Sequence, residues 1–254
     1  MKSRYEINRK LESTSLVTLL NRATGVLLLV AIVAVGVRIQ PAAAGIEPAV
    51  PQGMNPQEVA AAIKANAQAL KIFNYQQRMQ LQLKGETKKV PLTQMTHDMY
   101  GNVQKTQLSE EPADAPPSGG RLKQRVVARK KGEFKDMMQE IATLVTSYTE
   151  LPPDQLHAAL QKASFSPGEG DMGGSVQVQM QNVIQQGDSM TIWIDRNAML
   201  FRRAVIATTY EGNPVTTTAN YAMLPTGQVH MAQAILNYPK KQVVVQLDNM
   251  NYSK

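Results

Sequence analysis

Between residues 56 and 73 the apolar positions recur at helical spacing, with Val59, Ile63, Ala67, Leu70 and Phe73 on one stripe. Asn55 can cap this helix, Pro56 suits its first position, and Glu58 stands three residues after the cap. The period then switches from 3.6 to two. Over 75–83, Tyr75, Met79, Leu81 and Leu83 point one way while Gln76, Arg78, Gln80 and Gln82 point the other, which predicts a half-buried strand. Residues 97–100 and 103–106 flank Gly101-Asn102 and predict a hairpin. Phe134, Met137, Met138, Ile141, Leu144, Val145 and Tyr148 then predict a long helix, and Leu156, Ala159, Leu160 and Ala163 a shorter one from about Pro153.

From Ser175 onward the chain reads as strand after strand: 175–184, 189–195, 199–211, 214–224, 229–237 and 242–249. Gly187-Asp188, Gly212-Asn213, Thr226-Gly227 and Pro239-Lys240 punctuate them. Without helices between, such strands form an antiparallel meander. The fold class expected is α+β, a curved antiparallel sheet with helices covering one face, in a single domain over 56–254. Residues 45–55 read as a linker, and 109–120 (SEEPADAPPSGG) as a polar, Pro-rich surface excursion.

The N-terminal segment alters the charge picture. Lys2, Arg4, Arg9, Lys10 and Arg22 precede an uncharged run from Ala23 to Val37, and Ala42 and Ala44 make a small-x-small cleavage pattern before Gly45. This is the layout of a secretory signal peptide. Fifteen helical residues rise only about 22 Å, short of the roughly 30 Å hydrocarbon core. The long positive region and Arg38 keep an uncleaved signal anchor open as the other reading of 1–44. That segment holds six of the 27 Lys and Arg but two of the 20 Asp and Glu, so the remainder carries only +3 of the +7 total. A nucleic-acid partner is therefore not expected.

Composition excludes several chemistries. With no cysteine there is no disulfide, zinc knuckle, thiol nucleophile or lipid-modified N-terminal cysteine. Gly168 to Gly173 matches G-x-G-x-x-G but follows a helix and precedes a strand, the reverse of a dinucleotide loop. His97, His157 and His230 lack metal-motif spacing. Gly187-Asp188-Ser189 resembles half of a nucleophile elbow but opens a strand instead of closing one. No catalytic constellation, metal site or cofactor is expected, and the protein reads as no enzyme.

Two features remain. Arg121, Lys123, Arg125, Arg129, Lys130, Lys131 and Lys135 fall within fifteen residues that include one acid, Glu133. Such a cluster is either a solvated face or a contact for an anionic membrane surface or polyanionic envelope glycan, and each cation near such a surface contributes roughly 1 kcal/mol before screening. The fourteen methionines concentrate in or beside predicted strands and on the long helix. Thioethers fill ordinary cores and also line adaptable apolar pockets. An acyl tail burying eight methylenes would gain on the order of 6 kcal/mol.

Residues 57–254 resemble the bacterial periplasmic lipoprotein-carrier and outer-membrane lipoprotein-sorting superfamily. The resemblance rests on the first helix running into IFNYQQRMQLQL, on Met99 to Thr106 (MYGNVQKT), and on the block from MTIWIDRN to NMNY at the C-terminus. It implies an unclosed half-barrel whose concave apolar face is lidded by helices and binds lipid or acyl chains. The leading expectation is an exported, non-enzymatic envelope protein, periplasmic or tethered to the inner membrane, holding a lipid or acylated partner such as a lipoprotein. Met79, Leu81, Leu83, Met99, Met137, Ile141, Met180, Trp193 and Met223 are its expected cavity residues. The alternative is an anchored interaction or sensor protein with a filled core that binds anionic surfaces through the basic cluster.

Overall fold

The computed structural model describes residues 56–98, 102–109 and 121–254. The leader with Ala42 and Ala44, the linker, the Asn55 cap, Met99 and residues 110–120 of the Pro-rich excursion lie outside the described residues. The described chain forms two compact units. One is helix α2 (Arg121–Thr149). The other holds α1 (Pro56–Leu70), α3 (Pro153–Gln161) and every strand.

The sheet consists of β1 (Asn74–Leu83), β2 (Glu86–His97), β3 (Val103–Gln107), β4 (Ser164–Pro167), β5 (Ser175–Gln181), β6 (Ser189–Asp195), β7 (Phe201–Tyr210), β8 (Asn213–Met223), β9 (Val229–Tyr238) and β10 (Val243–Ser253). Their order is β3-β2-β1-β10-β9-β8-β7-β6-β5-β4, antiparallel throughout, so β3 and β4 are edges and the sheet is not closed. The α+β class read from the sequence is the one observed. The long-range step is β1 against β10, which seats the last strand beside the first.

Local chemistry sets the turns. Lys84 and Gly85 both have positive φ (54° and 80°), as do Glu211 and Gly212 (49° and 71°), the requirement of a two-residue hairpin turn matched to strand twist. The second of these turns falls one residue before the expected Gly212-Asn213, because the left-handed second position needs the glycine. Between β6 and β7 the Asp195 carboxylate accepts the backbone N–H groups of Asn197 and Ala198. Between β5 and β6, buried Asp188 accepts those of Val183, Ile184 and Gln185. Asp188 is thus a loop staple, and no helix follows Ser189 to complete a nucleophile elbow.

Two strands differ from the sequence expectation. β2 occupies 86–97, so His97 ends a strand where it was expected to begin one. Pro91 falls at an irregularity in the β1–β2 register, where a strand tolerates a residue without an N–H. β4 is four residues long and joins α3 to the Gly168–Gly173 stretch, which holds a short 3-10 turn at Gly170–Met172 and is no phosphate loop. Helix α1 stops at Leu70, and Phe73 is buried as the lead into β1.

Alternation sorts the sheet into two faces. On one, Val176, Val178 and Met180 meet Ile194, Ile192 and Met190, and the row continues through Ala204, Ile206, Val215, Ala219, Ala234, Val243 and Leu247 to Met79. All are buried. Helix α1 is fastened to this unit by Asn66, whose amide donates to the Val229 carbonyl and accepts its N–H, both at 2.7 Å. In α2, Met138, Ile141, Val145 and Tyr148 are buried at helical spacing, whereas Arg125, Val126, Arg129, Lys130 and Lys131 in its first half are exposed.

Candidate functional site

The buried face is rich in methionine: Met79, Met95, Met180, Met190 and Met231 are each 4% exposed or less. Met180 pairs directly with Met190 across β5 and β6, and Met95 pairs with Tyr75 across β2 and β1. Period two places these flexible thioethers on one side of the sheet, where they pack without imposing one rigid shape.

Of the expected cavity residues, Met79 and Met180 lie fully on this face, and Leu81 and Leu83 are half-buried farther along β1. Met137 is half-buried and Ile141 buried on α2. Trp193 and Met223 fall elsewhere. Ile192 and Ile194 take the core side of β6, so parity turns half-buried Trp193 to the opposite face, beside Gln177 and Arg203. Met223 ends β8 and is 61% exposed.

One end of the buried face is polar. Gln77 stands on β1 between Tyr75 and Met79, and its amide donates to Asn249 Oδ1 at 3.0 Å. The Asn249 amide donates onward to the Met231 carbonyl at 2.9 Å. Tyr75 stacks on Tyr252 with centroids 4.9 Å apart, and Tyr252 meets the His230 ring at 4.2 Å. Asn251 has φ 56° and shifts the β1–β10 register, which brings Tyr252 opposite Tyr75.

Four buried side-chain polar atoms lack a partner among the described residues: Tyr75 Oη, Gln77 Oε1, His230 Nδ1 and Thr217 Oγ1. Three of the four belong to this cluster. Each unsatisfied group costs about 1–3 kcal/mol. Burial pushes the Tyr75 and Tyr252 hydroxyls above the ordinary tyrosine range. It also lowers His230 against the opposing effect of a hydrogen bond with the Met231 backbone. The cluster therefore favours neutral groups. The sequence reading missed Gln77, Asn249 and Tyr252, although a glutamine in phase with Tyr75 and Met79 was a usable signal.

The opposite face carries a cross-strand row from β2 to β4: Leu92, Arg78, Asp248, Gln233, Asn220, Arg203, Trp193, Gln177 and Ser166. Arg78 pairs with Asp248 at 2.9 Å, and Gln233 and Gln246 donate to the same carboxylate at 3.0 Å. Burial raises the Asp248 carboxyl, but the hydrogen bonds from Gln233, Gln246 and Arg78 and the Arg78 charge hold it below its usual range. Arg203 joins Asn220 and Asp171, each at 2.9 Å. These charges are matched within the protein.

In the basic cluster, Arg125, Arg129, Lys130 and Lys131 are exposed and Lys135 is half-buried, with Arg129 paired to Glu133 at 3.1 Å. Arg121 and Lys123 open the same helix. Among the described residues, no group of three His, Asp or Glu could hold a metal ion, and no helix is long and apolar enough to cross a membrane.

No family model and no curated protein matches the chain. Among solved structures it is similar to a LolA superfamily protein from Nitrosomonas europaea, at 10% identity and a TM-score of 0.34, covering 82% of this chain and 94% of that one. It is also similar to a DUF1329 family protein from Desulfovibrio piger, at 10% identity and a TM-score of 0.31, covering 76% of this chain and 92% of that one.

Proposed function

We propose that this chain is an exported, non-enzymatic envelope protein that holds a lipid or acylated partner against the methionine-rich face of its open sheet. The observation that carries this reading is the apolar stretch of the buried face, in which Met79, Met95, Met180, Met190 and Met231 are each 4% exposed or less. An acyl chain needs only apolar area and adaptable side chains, and both are supplied by this face. The signal-like segment at 1–44 and the resemblance to lipoprotein carriers support the same reading. Delipidated protein is expected to take up a fluorescent fatty-acid probe saturably, with little response to salt. Absence of uptake overturns the reading.

The exposed cations of α2 favour a second reading, in which Arg125, Arg129 and Lys130 meet an anionic membrane surface. Binding to anionic vesicles that collapses with added salt, without uptake of the apolar probe, would establish it in place of the first.

A further inference from the structure

The polar end of the buried face has the composition of a head-group site. Tyr75 and Gln77 are 2% exposed and His230 is 9% exposed, and each keeps one polar atom without a partner among the described residues. The ring stack of Tyr75, Tyr252 and His230 and the amide chain from Gln77 through Asn249 to the Met231 carbonyl hold these three residues in one contiguous group. A phenol, an amide oxygen and an imidazole nitrogen together can both donate to and accept from a single guest group.

The surroundings restrict that guest. Arg78 and Asp248 stand on the far side of β1 and β10 and neutralise each other. Lys254 lies over the Phe73 ring, and Lys105 pairs with Met95 on edge strand β3. The cluster itself contains no cation to match an anionic head. On its apolar borders are Met79, next in phase after Gln77, together with Met95 opposite Tyr75 and Leu247 opposite Met79.

We infer that Tyr75, Gln77 and His230 bind the uncharged, hydroxyl-bearing head of an amphiphile, of the glycerol-ester class, whose tail lies along the methionine-rich face. A hydroxyl there donates to Gln77 Oε1 and accepts from the Tyr75 phenol, while His230 Nδ1 takes a second hydroxyl or ester group. This inference rests on the proposed function, because the tail needs the apolar face.

The test uses the delipidated full chain with three probes: monooleoylglycerol, oleate and the pure hydrocarbon reporter diphenylhexatriene. The wild type is expected to bind monooleoylglycerol about tenfold more tightly than oleate, which has the same tail and a charged head. Tyr75→Phe removes one oxygen and keeps the ring stack, and Gln77→Met keeps the side-chain length. Each is expected to weaken monooleoylglycerol binding about tenfold while leaving diphenylhexatriene within about twofold. Equal binding of monooleoylglycerol and oleate, or a Tyr75→Phe variant that binds monooleoylglycerol like the wild type, overturns the head-group assignment and leaves the apolar site standing. Failure of the wild type to take up any of the three probes overturns the proposed function itself.

Discussion

The two ends of the buried face share one backbone pattern and differ in what fills it. Across β5 and β6 every inward position from Val176 to Met180, and from Met190 to Ile194, is aliphatic or methionine. Across β2, β1 and β10 the same side of the sheet carries Thr93, Gln77 and Asn249 among Met95, Tyr75 and Met79. The first end is held by apolar area alone. The second adds amides that restrict one another's orientation and leaves three polar atoms unmatched among the described residues. A region kept only for stability has no use for unmatched polar groups, because apolar groups of the same shape serve as well or better.

Substitutions separate the two ends by size of effect. Ile192 is 3% exposed and lies between Val178 and Ala204, so Ile192→Ala leaves a cavity where neighbours on both strands are fixed. A loss of about 2–5 kcal/mol is expected in urea unfolding. Asn249→Ala acts by a different route. It leaves the Gln77 amide and the Met231 carbonyl without partners, and a loss of about 2–3 kcal/mol is expected. If Asn249→Ala proves neutral, the amide chain does not order the polar end and the contrast between the ends fails.

The polar reverse face is expected to matter less. Asp248→Asn removes the charge that Arg78 meets, and with the Arg78 side chain 48% exposed the loss at neutral pH is about 1 kcal/mol. The Asp248 carboxyl is held below its usual range in the folded protein, so its contribution is present above the ordinary value near 3.8. It is lost as pH falls through the depressed value. Wild type and Asp248→Asn should therefore converge in urea stability under acid conditions, and a gap that widens there would contradict the sign.

Much of this contrast was legible in the sequence, and its unread parts have physical causes. Strands β5 to β9 are rich in apolar and β-branched residues and are separated by turns that demand Gly, Asp or Pro, so local chemistry was sufficient to place them. β2 was obscured by Lys88, Lys89 and Pro91, which break the apolar alternation, and Pro91 coincides with an irregularity in the β1–β2 register. Trp193, expected in the cavity, stands on the opposite face because parity with Ile192 and Ile194 decides its side. The polar cluster depends on the pairing of Gln77 with Asn249, separated by 172 positions, and on the bulge at Asn251 that moves Tyr252 by one step. No window along the chain contains that information.

The smallest expected effect is also the most selective for the polar end. Burial lowers His230 from its ordinary 6.5, so the folded protein resists the proton that the unfolded chain accepts. Stability from this residue is complete above the unfolded value and declines as pH falls from about 7 toward 5. His230→Gln keeps a polar side chain of similar reach and cannot titrate, so its unfolding midpoint should change less over that interval than the wild type's. The aromatic contact with Tyr252 is lost in the variant at every pH, which shifts the midpoint without altering its slope. Slope and offset therefore report different interactions. An unchanged slope in His230→Gln would mean that the imidazole is open to protons in the folded state, and the polar end would then be a solvated rim instead of a dry part of the same face.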